Sequence, residues 1–192
     1  MGHTDRSGTP GGTMAGGTPV FHHLVTFRLG SDTFALPVEP VGQILPMLAI
    51  TPLPEGAGTL AHSVLGAINV RGKVVPVVDM RRHIGLEHAR LDRDTPLIVA
   101  RAGELTVALV VDEVTDVVAV HAANVTPPGD ALPPGLGHAP VLAGLVRVPD
   151  APSGRFTLLL DMQHLFAPEQ REVLARAVEL LHAQAPDMEV GA

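Results

Sequence analysis

The chain has 192 residues, a formal net charge of −7 and a 46% share of hydrophobic residues, enough to bury one good core or two small linked ones. It has no Cys, Trp or Tyr, which excludes disulfides and thiolate metal sites and leaves neither the basic face nor the stacking rings that nucleic acid demands. Twenty Gly and eighteen Pro beside only 17% charged residues favour short strands joined by turns over long helices.

The Gly- and Thr-rich segment 1–19 lacks the apolar stretch of a signal peptide and is predicted to be disordered. No apolar run approaches the ~20 residues of a transmembrane helix, so direct membrane insertion is not expected. Strand signals begin at Phe21: FHHLVTFRL, a loop at Gly30-Ser31-Asp32, and TFALPV read as a hairpin. A Pro-rich connection over 46–59 leads to VLGAINVR, a turn at Gly72-Lys73, and VVPVVDM, a second hairpin. RRHIGL reads as a short helical turn and EHARLDRDT as a polar linker. PLIVARA and LTVALVVD flank Gly103-Glu104 in a third hairpin, with TDVVAV as a further strand. Residues 126–140 carry too many breakers for a regular element, and VLAGLVRV with RFTLLLD makes a fourth hairpin. The period then changes. PEQREVLARAVELLHAQ places Val173, Leu174, Ala177, Val178 and Leu181 on one helical stripe behind Pro168 in the first turn, which predicts a helix that packs on a barrel or a partner.

An internal repeat organises these elements. The 22 residues from Leu24 align without gaps on those from Leu97, with identities at Leu24/Leu97, Arg28/Arg101, Gly30/Gly103, Thr33/Thr106, Ala35/Ala108, Leu36/Leu109, Val38/Val111 and Val41/Val114. Each copy is followed by a long loop and a hairpin that ends in Asp-Met, at Asp79-Met80 and Asp161-Met162. The repeat predicts two similar all-β units, too small to bury much alone, that share a hydrophobic seam. Ligands and partners dock at such seams.

GAINVRGKVVPVVDMRRHIGL, residues 66–86, resembles the central pattern of the CheW-like family through Gly66, Asn69, Arg71-Gly72, Pro76 and Asp79-Met80-Arg81. TFALPVEPVGQIL, VALVVDEVTDVV and LLLDMQHLF resemble its flanking motifs, so the likeness runs from about Phe21 to Phe166. It implies an all-β fold with a C-terminal helix: two tandem five-stranded SH3-like β-barrels sharing a hydrophobic seam. The expected layout is a tail over 1–19, a CheW-like domain over 20–166 in subdomains 20–90 and 96–166, a helix over 167–185 and a flexible end over 186–192. The resemblance further implies a cytoplasmic chemotaxis adaptor, held beneath the inner membrane by receptors. Its partners would be the regulatory domain of a CheA-type histidine kinase, the cytoplasmic tip of chemoreceptors, and other CheW-like domains.

Carried over by position, Val41, Gln43, Asn69 and Arg71 would face the kinase, and Val74, Ala108 and Val114 the receptor. Gln43 stands where the family usually has Glu, and Ala108 where many members have Gly. Read from its neighbours alone, Arg71 is a solvated turn arginine or a partner-facing one, and Asn69 bonds local backbone or a partner. Asp79 and Asp161 read as helix N-caps rather than an acid/base pair. Ten histidines show no metal-ligand spacing, and no nucleophile, base and orienting group can be named together, so neither catalysis nor a metal or other cofactor is expected. Two rivals stand: the same module in a pilus-twitching or gliding system, and a small-molecule-binding β-barrel.

Overall fold

The computed structural model describes residues 20–52, 62–128, 141–148 and 156–184; the tails over 1–19 and 186–192 and most of the 126–140 loop lie outside them. The first half forms β1 (Phe21–Leu29), β2 (Asp32–Pro37), β3 (Val41–Pro46), β4 (Val64–Val70), β5 (Lys73–Asp79) and the one-turn helix α1 (Met80–His83). The second forms β6 (Pro96–Ala102), β7 (Leu105–Val110), β8 (Glu113–His121), β9 (Val125–Thr126), β10 (Leu142–Val146), β11 (Thr157–Leu160) and the helix α2 (Pro168–Gln184). Two of these strands, β3 and β9, were predicted neither in the four hairpins nor as the further strand that became β8.

The sheets do not follow the two halves of the sequence. One is five-stranded in the order β3-β6-β7-β5-β4, and the other is six-stranded in the order β8-β1-β2-β11-β10-β9. Each takes the first hairpin of one repeat and the second hairpin of the other. The exchange is made through parallel pairs, with Val77 opposite Ala108 and Leu159 opposite Ala35. The sequence segments 20–90 and 96–166 therefore interleave in space.

The repeat holds register by register. Val41 pairs with Ala100 and Val114 with Phe27, and each pair is the repeat counterpart of the other. Both pairings slip by one residue at the same place, between Val41 and Gln43 and opposite Thr26 and Phe27. Each barrel also closes in the same way. The amides of Thr51 and Ala67 exchange hydrogen bonds of 2.8 Å, and Leu145 pairs with Thr126. A bulge stands beside each closure, at Gly66 and at Gly144. A Cβ on Gly66 would lie 2.3 Å from the Thr51 carbonyl oxygen, and one on Gly144 2.5 Å from that of Thr126. Only glycine admits a backbone carbonyl so close.

The apolar side chains sort into three layers. Ile68, Val75, Val77, Leu97, Val99, Ala108 and Val110 fill the five-stranded barrel. Leu24, Ala35, Val120 and Val146 form a smaller cluster inside the other. Between them lies the largest core, where Phe27, Phe34 and Leu36 of the six-stranded sheet meet Val78, Ile98 and Leu109 of the five-stranded one. Successive residues such as Leu97 and Ile98 face different cores, which is why these strands read as continuous apolar runs rather than alternating ones. The C-terminal helix starts at the expected proline, and the Ala167 amide donates to Gln170 Oε1 at 2.9 Å, a capping-box contact. Its predicted stripe is buried at Leu174, Ala177 and Leu181, and the helix packs on β5.

Candidate functional site

The β4–β5 hairpin presents the most exposed of the predicted site residues. Val70 pairs with Lys73, so the two-residue loop is Arg71-Gly72, not Gly72-Lys73 as the sequence suggested. Both loop residues have positive φ, 52° and 81°, the pattern of a type I′ turn that matches the twist of the flanking strands. Among the described residues Arg71 is the one non-glycine residue with positive φ, and its side chain is exposed. It is therefore a turn residue, not the strand-end residue that a turn at Gly72-Lys73 implied. Asn69 has a local role: the Gly72 amide donates to its Oδ1 at 2.8 Å and braces the turn.

The remaining candidates scatter. Val41 and Gln43 are half-buried on β3, an edge strand, and Val41 also packs against the central core. Val74 is half-buried on β5, directly opposite Asn69. Val114 lies in the other sheet and packs against the central core. Ala108 is 0% exposed, on β7 between β5 and β6. Its methyl fills the five-stranded barrel. The edge strands carry two exposed apolar residues that the reading did not select, Ile44 at 42% and Val117 at 56%. They are repeat counterparts, and the alignment of Ile44 on Val117 was the signal that could have found them.

The polar chemistry of the seam gathers at α1. Asp79 caps that helix, accepting from the Arg82 amide at 3.3 Å, and is 1% exposed. His88 Nδ1 donates to its Oδ2 at 2.9 Å, and Arg82 Nε stands 3.4 Å from the same oxygen. Asp161, its counterpart, accepts from the Gln163 amide at 2.8 Å and the His164 amide at 3.3 Å, capping a turn rather than a helix. Asp79 thus does the helix capping expected of it, while Asp161 caps a turn where a helix was expected. Arg81 forks onto Asp112, Nε to Oδ1 and Nη2 to Oδ2, each at 2.6 Å. Burial works to raise the Asp112 pKa, but the Arg81 fork, the Gly30 amide and the charges of Arg81 and Arg28 outweigh it and hold the carboxyl below its ordinary value. His83 Nε2 donates to the Leu165 carbonyl at 2.8 Å, and its ring lies against Phe166. Burial pushes the His83 pKa down, with the Leu165 bond opposing.

A cleft of about 420 Å³ opens beside the Arg81–Asp112 pair and runs under the linker at Arg90 and Asp92. Its polar groups are largely spent on one another: Arg81 on Asp112, Arg28 on Glu113 at 3.2 Å, and Asp92 on Thr95. Among the described residues, no three His, Cys, Asp or Glu gather as metal ligands, and no helix is long and apolar enough to cross a membrane.

Two interleaved β-barrels on a shared apolar seam, with edge strands and a hairpin tip turned outward, define a two-headed protein-binding module. The model of the CheW-like domain matches residues 23–170, and the chain belongs to that family. It is 30% identical over 149 residues to a chemotaxis protein CheW of Rhizobium meliloti, covering 78% of this chain and 90% of that one. Protein FrzA of Myxococcus xanthus is 28% identical over 151 residues, 78% of this chain and 88% of the relative. Among solved structures, the scaffolding protein TtCheW of Thermoanaerobacter tengcongensis shares the fold, with a TM-score of 0.64, 23% identity, and coverage of 78% of this chain and 90% of its own.

Proposed function

We propose that this protein is a chemotaxis adaptor without catalysis, which couples chemoreceptors to a CheA-type histidine kinase at the cytoplasmic face of the inner membrane. The observation that carries the reading is Arg71. A non-glycine residue in the left-handed region costs ~1 kcal/mol, and strain of that kind concentrates where function requires it. Among the described residues no ion pair of Arg71 repays the strain, so its five fixed donors are free for the carboxylates and carbonyls of a partner. Asn69 then acts through the turn, by holding Arg71 in place. Val41 and Gln43 extend the kinase-facing surface along the edge strand, while Val74 and Val114 contribute to the receptor-facing one.

Co-purification with a CheA-type kinase, with and without Arg71→Glu, tests this. Retention of the kinase by the parent chain and its loss with the charge reversal is the expected outcome. Equal retention by both would remove Arg71 from the interface, and no retention by either would remove the kinase as partner. The same module in a pilus-twitching or gliding system would offer the same surfaces, so the kinase that is captured separates the two pathways.

A further inference from the structure

The internal repeat gives the seam an approximate two-fold axis, and the groups around that axis are not symmetric. Counting on from the matched Asp79 and Asp161, His83 and Leu165 are counterparts. They touch each other, Nε2 to carbonyl oxygen at 2.8 Å, so the axis passes between them. Arg81, Asp112 and Gly30 lie at one rim of the seam. Their counterparts at the other rim are Gln163, Glu39 and Gly103.

At the first rim the contacts tie one barrel to the other. Asp112 stands where the chain leaves β7 of the five-stranded sheet for β8 of the six-stranded one. Its amide donates to the Arg28 carbonyl at 3.1 Å, and its Oδ2 accepts from the Gly30 amide at 2.6 Å, which anchors it to the β1–β2 hairpin. Arg81, which follows β5 of the other sheet, then grips both oxygens, and its Nη1 donates to the Glu87 carbonyl of the linker at 3.3 Å. At the opposite rim a glutamine replaces the fork. Among the described residues, Glu39 is exposed and makes no ion pair. Apolar packing in the seam is non-directional, whereas a bidentate arginine fixes angle as well as distance.

We propose that Arg81 is a positioning residue: its fork on Asp112 locks the two barrels together at one rim only, so they rock about that rim, and a partner bound to one barrel resets the angle of the other. The role in signalling rests on the adaptor reading above; the lock itself does not.

The chain has no Cys, so spin labels at Ala49→Cys and Ala119→Cys, two exposed positions on different barrels, report the angle cleanly as a distance distribution. In the full chain alone, Arg81→Met should broaden that distribution, Arg81→Lys should do so less, and Gln163→Arg, which sets a fork opposite Glu39, should narrow it. Should Arg81→Met fail to fold, Asp112→Asn carries the test, since it keeps an acceptor for Gly30. Unchanged width in a folded lock variant would overturn the lock, and unchanged width with Gln163→Arg would overturn the open rim. In the reconstituted complex with receptor and kinase, Arg81→Met should cut the receptor-dependent change in kinase activity by about fivefold while kinase affinity stays within about twofold. A parallel loss of both, or an intact response, would overturn the positioning role. Broadened distances with no binding of kinase or receptor by the parent chain would leave the lock standing and sink the adaptor reading.

Discussion

The two barrels agree wherever the backbone must close and differ wherever a side chain can reach outward. Closure is repeated closely, in the same bulge, the same glycine and the same threonine carbonyl: Gly66 against Thr51 and Gly144 against Thr126. The second hairpins diverge. That of the five-stranded sheet turns on two residues, Arg71-Gly72, whereas β10 and β11 are joined by residues 147–156, of which 149–155 lie outside the described structure. The rims diverge too, as Arg81 and Asp112 against Gln163 and Glu39. Duplication preserved what folding requires, and the asymmetry marks what each barrel does separately.

Interleaving makes the largest prediction. Each sheet needs strands from both repeats, so neither half of the sequence can complete a barrel or bury the seam by itself. Chains divided in the 87–95 linker should each be unfolded by far-UV circular dichroism and should recover β structure when co-expressed. A half that melts cooperatively on its own would break the comparison, because its barrel would then be self-sufficient.

Next in size are the closure glycines. Gly66→Ala and Gly144→Ala each push a methyl into a backbone carbonyl that cannot swing aside, so each should cost about 3 kcal/mol or more in urea melts. Similar losses at both would sharpen the equivalence of the barrels. Tolerance at one and collapse at the other would show that one closure is dispensable.

A smaller effect follows from pH. The His83 pKa is lowered in the fold, so the unfolded chain takes up its proton first, and stability falls as pH drops below the ordinary value of 6.5. Asp112 and Asp161 are also held low, by Arg81 and by His164 against the opposing effect of burial. Their contributions are present above the ordinary 3.8 and vanish as pH falls through their folded values. Melting temperature should therefore decline in two stages. His83→Gln, which keeps an N–H for the Leu165 carbonyl, should remove the first stage and leave the second. An unaltered profile would place the first stage elsewhere.

Much of this architecture is written locally. The four hairpins, the aspartate caps and the helix stripe are short-range patterns, and the gapless repeat from Leu24 and Leu97 announced the equivalence that the pairing registers confirm. Partner choice between hairpins is not local. A strand apolar on both faces, such as Leu97–Ala100, satisfies any apolar neighbour, so nothing in it says that β7 will pair with β5 and β2 with β11. The half-exposed edge strand β3 and the two-residue β9 are too weakly apolar or too short to stand out. The depth of Ala108 was hidden for a related reason: its neighbours fix that it lies in a strand, but only the sheet order shows that the strand is central.

Arg71 carries the smallest stability effect and the sharpest test of the exposed hairpin tip. Because its φ is 52°, two substitutions that both delete the guanidinium act differently on the fold. Alanine keeps the left-handed penalty, so Arg71→Ala should leave stability within ~0.5 kcal/mol of the parent. Glycine relieves the penalty, so Arg71→Gly should stabilise by up to ~1 kcal/mol, less the extra entropy that glycine gives the unfolded chain. Binding should not distinguish the two. If Arg71 anchors the kinase, both should weaken affinity by ~2 kcal/mol, since truncating an interface arginine removes the same donors in either case. A more stable chain that binds less well would separate function from fold in one molecule. If instead affinity rises and falls with stability across the pair, Arg71 serves only the turn, and the partner surface has to be sought along the edge strands at Ile44 and Val117.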